Sequence, residues 1–474
     1  MDPRHVRAPW GLLLSNRSML IALIVASAFF MENLDATIIV TALPQMAQTF
    51  GTTSTRMSLG VTAYVLATAA CIPASGWLAD RVGSRNLFCG AIGLFTLASM
   101  ACGIAPTFSV FIAGRIVQGA AAAMMSPVGR LVVLRTAEKR DLMRALSTLV
   151  WPALFAPVLG PPLGGLITSA ASWRWIFYVN VPLGVAGMAL VLLFIPNQKA
   201  SERAAFDAKG FGLLALALAC LTYGLDVIGS PPIDLRLGAG LFAAAVLAGV
   251  LAIKHLESVP NPIVRLQALR IPTFFAGSIF GGVISRAAIS TTPFLLPLMF
   301  QVGFGLTPVA SGLFLLIYMS ANLLMKVFTN RILREFGMRT VLIVNGAIAS
   351  AAIAACSIIS PTLPLAITAA ILILAGASRS MQFTAITFVS FADIAAEERA
   401  SASVLASLTQ QISMGMGVAV GALMLNFSQM LRGAPALAPY DFRLALVLAG
   451  LLSALSLFSY TSLPADAGAE ITGT

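Results

Sequence analysis

The chain has 474 residues, 58% of them hydrophobic and only 10% charged, with a mean hydropathy of +0.92, which excludes an ordinary soluble domain. Its 39 glycines and 25 prolines lie mostly inside apolar runs, as in packed membrane helices and not a barrel. A net charge of +11 would suggest nucleic-acid binding in a soluble protein, so the placement of the basic residues has to decide.

The N-terminal MDPRHVRAPWGLLLSNRS has the basic flank of a signal sequence, but the apolar run after Arg17 is too long and lacks a small-residue cleavage site. It predicts an uncleaved first span. At about 20 residues per crossing, fourteen spans follow, centred roughly on residues 31, 66, 95, 120, 157, 185, 219, 245, 287, 319, 348, 377, 413 and 451. The first contains FMENLDATIIVTALP (30–44), with Glu32 and Asp35 inside it. An ionised acid at mid-membrane is unfavourable by roughly 2.5–3.5 kcal/mol, so such groups are functional candidates by default. The two acids share a helix face at i and i+3, a pair suited to carrying a proton or binding a cation.

Asp35 lies nine residues before Pro44, and Arg115, in span four, lies nine after Pro106. With both prolines near the outer ends of their helices, each charge is about 13 Å inward at 1.5 Å per residue. Matched depth predicts an Arg–carboxylate contact across spans one and four.

The spans repeat. GWLADRVGSRNLF (76–88) after span two matches NRILREFGMRTVL (330–342) after span ten at an offset of 254, aligning Gly83 with Gly337 and Arg85 with Arg339. Arg115-Ile-Val-Gln118 in span four echoes Arg379-Ser-Met-Gln382 in span twelve. The expected organisation is a cytoplasmic N-terminus (1–18), a six-helix bundle (19–197), two additional helices (210–254), a second six-helix bundle (272–462) and a cytoplasmic tail (463–474). Parallel repeats place a transport site between the halves near the midplane. Glu32, Gln118, Arg286, Arg379 and Gln382 are its candidate cavity residues.

Of the basic residues near span ends, 19 fall on the side of the termini and 5 on the other. The positive-inside rule puts both termini in the cytoplasm, which accounts for the charge without nucleic acid. The five cysteines are single, with no CxxC pair, and read as core residues. His5 and His255 read as loop residues, so no metal, cofactor or enzymatic centre is expected. The absence of G-x-x-x-x-G-K-[ST] argues against ATP hydrolysis.

Five motifs in order carry a family resemblance: Leu34-Asp35-Ala-Thr-Ile with Ala42-Leu-Pro44, Gly76-Trp-Leu-Ala-Asp80-Arg81-Val-Gly83-Ser-Arg85, Arg115-Ile-Val-Gln118-Gly119, Gly160-Pro161-Pro-Leu-Gly164-Gly165, and Ser172-Trp-Arg-Trp-Ile-Phe with Asn180-Val-Pro182. Together the chain resembles the major facilitator superfamily, in its fourteen-helix drug:proton antiporter branch of the EmrB/QacA type. The resemblance implies an all-α membrane protein of the major facilitator fold. It further implies a proton-coupled exporter of small amphipathic compounds across the bacterial inner membrane by alternating access, with coupling roles for Asp35 and Arg115.

In the loop motif, Gly76, Asp80, Arg81, Gly83 and Arg85 are candidates for the inner gate, or the arginines only set topology. Gly160, Pro161, Gly164 and Gly165 suggest a pliable seam that closes the outer side, or small-residue packing alone. Two departures stand out: Asn86 replaces the second basic residue of the loop, and Arg334 stands where the first copy has Asp80. The deep bases Arg115, Arg286 and Arg379 outnumber the acids Glu32 and Asp35. That keeps open an exporter of an endogenous organic anion, such as a siderophore or metabolite. The expected partners are the small-molecule substrate, protons, the lipid bilayer and, in double-membraned bacteria, a periplasmic adaptor.

Overall fold

A computed structural model describes residues 17–136, 142–197, 205–229, 234–395, 398–434 and 436–464. Most of the expected N-terminal segment and all but two residues of the tail therefore lie outside the described residues. Fourteen long helices run through the rest: α1 (Arg17–Phe50), α2 (Ser54–Val82), α3 (Ser84–Ile104), α4 (Phe108–Thr136), α5 (Leu142–Ala170), α6 (Trp175–Phe194), α7 (Ala208–Gly229), α8 (Leu235–Ser258), α9 (Pro272–Gly303), α10 (Pro308–Phe336), α11 (Met338–Ile358), α12 (Leu365–Phe391), α13 (Arg399–Arg432) and α14 (Pro439–Thr461). Each of the fourteen expected centres falls inside one of them. Thirteen are long and apolar enough to cross a membrane, and the apolar stretch of α5, Leu154–Ala170, is shorter.

The 254-residue repeat reappears in the backbone. Gly51 and Gly305 end α1 and α9 with φ of 61° and 68°, and Gly83 and Gly337 join α2–α3 and α10–α11 with φ of 99° and 75°. Thr53 and Thr307 cap α2 and α10 with their side chains. Positive φ suits glycine because it has no Cβ to clash, and a threonine at the N-cap satisfies an otherwise orphaned amide. The same local chemistry thus recurs at the same relative position in both halves.

The helix pairings repeat as well: α1 with α5, α2 with α4, α3 with α4 and α3 with α6 in the first half, and α9 with α13, α10 with α12, α11 with α12 and α11 with α14 in the second. Two seams join the halves, α5 against α10 and α2 against α13. The additional pair α7–α8 packs on itself, and α7 leans on α2 and α13. Its foot is tied down by Asp207, which accepts from His255 Nε2 at 2.7 Å, the Gly210 amide at 2.8 Å and the Ile263 amide at 3.3 Å. His255 is not in a loop, as the sequence suggested, but in the last turn of α8.

Pro44 shapes α1. It lacks an amide donor and its ring clashes with the preceding turn, so α1 tightens to a 3₁₀ turn over Ile39–Ala42 before continuing as Leu43–Phe50. Beside this break, on the side away from the termini, Gln301 Nε2 of α9 donates to Thr41 O at 3.0 Å. The two halves are therefore in contact at that end.

Candidate coupling and substrate site

Asp35 and Arg115 meet where depth matching placed them. Arg115 Nη1 donates to Asp35 Oδ2 at 2.7 Å, and both residues are at most 1% exposed. The pair sits in a network of donors and acceptors, with Arg115 Nη2 the one guanidinium nitrogen buried without a hydrogen-bond partner. Arg115 Nη1 also donates to Gln118 Oε1 at 2.6 Å and Nε to Gly60 O at 3.2 Å. Gln118 Nε2 donates to Asp35 Oδ1 at 2.9 Å and to Ser99 Oγ at 2.7 Å. Asn180 Nδ2 donates to Asp35 Oδ1 at 2.7 Å. The guanidinium lies over the Tyr64 ring, 4.3 Å from its centroid, a favourable cation–π placement. Residues from α1, α2, α3, α4 and α6 converge on the pair and on the two amides that brace it.

This arrangement has a chemical consequence. The Arg115 guanidinium has only donors to offer, and the Gln118 and Asn180 amides point NH₂ groups at the acid. Every neighbour that reaches Asp35 is thus a donor. A proton arriving on Asp35 would remove the charge that these donors share and weaken every one of the contacts, the one to Arg115 most.

Glu32, one turn away, is half-buried and accepts from Ser126 Oγ of α4 at 2.7 Å. It shares the α4-facing side of α1 with Asp35 but is less enclosed. Gln118, expected at the substrate cavity, is fully buried and braces the Asp35–Arg115 pair instead. Gln382, its echo, is also fully buried; it donates to Leu342 O at 3.2 Å and accepts from Asn345 Nδ2 at 2.8 Å. Arg379 is half-buried against the rings of Tyr318 and Phe383, at 5.9 and 5.4 Å. Arg286 is 1% exposed on α9 and reaches Thr387 Oγ1 of α12 at 3.4 Å.

The loop residues sit apart from this centre. Asp80 pairs with Arg135 at the end of α4, Nη2 to Oδ1 at 2.9 Å, so its partner belongs to its own half. Arg81 lies over Trp77 at 5.3 Å and Arg85 Nε donates to Asn86 at 3.2 Å. Gly76 is exposed, whereas a Cβ at Gly83 would come within 2.3 Å of the Asn197 side chain.

The glycines of α5 divide between two neighbours. A Cβ at Gly160 would approach Thr37 Oγ1 to 2.2 Å and one at Gly164 would approach Ile38 O to 2.4 Å, both on α1. At Gly165 it would approach Pro308 O of α10, in the other half, to 2.3 Å, and Gly312 of α10 is packed in turn on Pro161.

Asn180, Ser99 and Tyr64 are the residues that the sequence reading did not assign. Asn180 was visible only as a polar residue opening an apolar helix within a motif.

Comparison with known proteins agrees with this architecture. The Major Facilitator Superfamily family model matches residues 25–418. A protein of Escherichia coli O6:H1 named as a multidrug resistance protein, MdtD, is 36% identical over 410 residues, covering 85% of each chain. Its counterpart in Salmonella heidelberg is 35% identical over 407 residues, with the same coverage. Among solved structures, a bacterial homologue of the human lysosomal transporter Spinster, in an inward-facing and unoccupied conformation, superposes with a TM-score of 0.67 at 15% identity, covering 94% of this chain and 96% of that one. A D-xylose–proton symporter gives 0.64 at 15% identity, covering 95% and 98%. With its fourteen-helix architecture, repeated halves and family match over most of its length, the chain is a transporter and not an enzyme, and it belongs to the Major Facilitator Superfamily.

Proposed function

We propose that the chain is a proton-driven exporter of small amphipathic compounds, working by rocking of its two six-helix halves. The observation that carries this reading is the sealed Asp35–Arg115 pair, whose acid meets only donors. In the proposed cycle, Asp35 takes a proton when the side away from the termini is open. The weakened contact releases Arg115, and the halves close at the α5–α10 seam. Deprotonation toward the other side restores the pair. Glu32, less enclosed, serves as the second acid, either relaying the proton or meeting a cationic group. Relatives named for multidrug resistance support the substrate class.

The excess of basic residues on the side of the termini supports a cytoplasmic location for both termini in a bacterial inner membrane. The gradient supplies about 2.3 kcal/mol per charge per 100 mV and about 1.4 kcal/mol per pH unit. The loop residues Gly76, Asp80, Arg81, Gly83 and Arg85 act as the inner gate in this reading, with Asp80 exchanging Arg135 for another partner as the halves move. A periplasmic adaptor belongs to the same reading and would be sought by co-purification from a double-membraned host.

Everted vesicles holding a pH gradient test the coupling. Cationic and anionic amphipathic compounds should dissipate the gradient through the wild type and not through Asp35→Asn. If the variant dissipates it as well as the wild type, or if no compound does so through either, the reading fails.

A further inference from the structure

The 254-residue offset that relates Gly51 to Gly305, Tyr64 to Tyr318 and Gly83 to Gly337 also relates Glu32 to Arg286. The surroundings follow one plan: Glu32 on α1 meets a hydroxyl of α4, and Arg286 on α9 meets a hydroxyl of α12. The charge is inverted, and so is the degree of satisfaction. Arg286 is 1% exposed, yet Nε and Nη1 are buried with no hydrogen-bond partner. Ser285 Oγ beside it, and Arg379 Nη1 and Ser380 Oγ on α12, are likewise buried and unpartnered. The acids described in this half, Glu335, Asp393, Glu398 and Asp441, all lie at or beyond helix ends. None reaches the interior of the second half as Asp35 does in the first. A guanidinium buried without an anion is strongly unfavourable, and such a group in a native fold calls for a partner that offsets the cost.

We propose that Arg286, with Thr387 and the adjacent Ser285, binds an oxyanion of the transported compound, most simply a carboxylate. Three N–H bonds of Arg286, one on Nε and two on Nη1, are available to it. This rests on the transport reading above and narrows its substrate class to amphipathic compounds bearing an anionic group.

The test uses the full chain in phosphatidylcholine nanodiscs, titrated with naphthoate, nalidixate and cholate, each beside its methyl ester, and read by thermal stabilisation. One or more carboxylates should bind the wild type at least about tenfold more tightly than its ester. Arg286→Gln should weaken that carboxylate about 10- to 100-fold, the range for a hydrogen bond to a charged group, and leave the ester within about twofold. Arg286→Lys should retain part of the preference, and it serves as the test if the glutamine variant does not fold. The proposal is overturned if no carboxylate is preferred over its ester, or if the substitutions leave the preference intact. It also fails if phosphatidylglycerol in the disc supplies the Arg286-dependent stabilisation in place of the free acids, because the occupant would then be lipid. Carboxylate binding at Arg286 without gradient-driven movement would sink the transport reading and leave the site. Gradient-driven movement indifferent to Arg286 would do the reverse.

Discussion

Two adjacent glycines of α5 should fail in different ways. A Cβ at Gly164 would sit 2.4 Å from Ile38 O within the first half, and one at Gly165 would sit 2.3 Å from Pro308 O in the second. Both obstacles are backbone oxygens, which cannot rotate away. Ordinary contact begins near 3.4 Å, so each alanine must drive its pair of helices about 1 Å apart, an overpacking cost of about 1–3 kcal/mol. At Gly164 that cost falls on every state that keeps the half intact and lowers the melting temperature. At Gly165 it falls only on the state in which α5 and α10 are closed, and shifts the conformational equilibrium about 5- to 150-fold. The reporter is Ser311→Cys, a fully buried position on α10 beside the seam, in a background with Cys71, Cys89, Cys102, Cys220 and Cys356 replaced. Water-soluble maleimide should label it faster by that factor in Gly165→Ala, with the melting temperature little changed. Gly164→Ala should melt lower without accelerating the label. Equal labelling rates in the two variants would refute the assignment of Gly165 to the seam between halves.

The buried pair should behave as a coupled unit. Asp35→Asn and Arg115→Met should each destabilise the purified protein by about 3–5 kcal/mol, the cost of stranding one buried charge, and the double variant should lose much less than their sum; additive melting shifts would argue against a paired ground state. Gly83→Ala should cost more than Gly337→Ala in thermal melts, because both adopt positive φ but only Gly83 would also strike a neighbour, Asn197; roughly 1 kcal/mol is expected from the conformation alone. At the foot of the additional helices, burial pushes the Asp207 carboxyl up, but the donors from Gly210, His255 and Ile263 outweigh it and hold the group below its ordinary value of 3.8. Its stabilisation is therefore complete above that value and fades as pH falls through the lowered one. The melting gap between wild type and Asp207→Asn should persist from neutrality downward and close only below about pH 4, whereas a gap still fully open at about pH 2 would refute a role for the ionised carboxylate.

The spans were legible because apolar length alone announces a crossing, and the repeat because glycine with positive φ and threonine caps are local requirements that a second copy must meet with the same residues. Asp35 and Arg115 were legible because two prolines measured their depth from the same membrane face. Their companions were not. A lone Ser99 or Asn180 in an apolar helix has no periodicity to reveal which neighbour it faces, and the partners of Asp35 come from helices up to 145 residues away in sequence. Gln118 could have been placed, since it lies at i+3 from Arg115 and must share its face; pairing Arg115 with Asp35 already committed Gln118 to the same interior. Asp80 was paired only once α2 and α4 were known to pack together, which brings Arg135 to it across 55 residues. His255 was misread because the last turn of a helix carries the same polar residues as the loop after it.

The inversion of charge between the halves gives the proposed cycle a division of labour. In the first half three donors, from Arg115, Gln118 and Asn180, are spent on Asp35, which makes that centre sensitive to a proton. In the second half Arg286 and Arg379 have donors to spare and no acid beside them in the interior. A compound bound there through an oxyanion adds charge of the sign that Glu32, at the matching position of the other half, carries when ionised. Protonation of the first half and occupancy of the second would then be linked through the field between α1 and α9, because neutralising either acid eases the approach of the other anion. Substrate affinity should accordingly rise when Glu32 is replaced by Gln and fall when Arg286 is. Equilibrium binding of the preferred carboxylate to the two variants measures this, and a loss of affinity in Glu32→Gln would contradict the linkage.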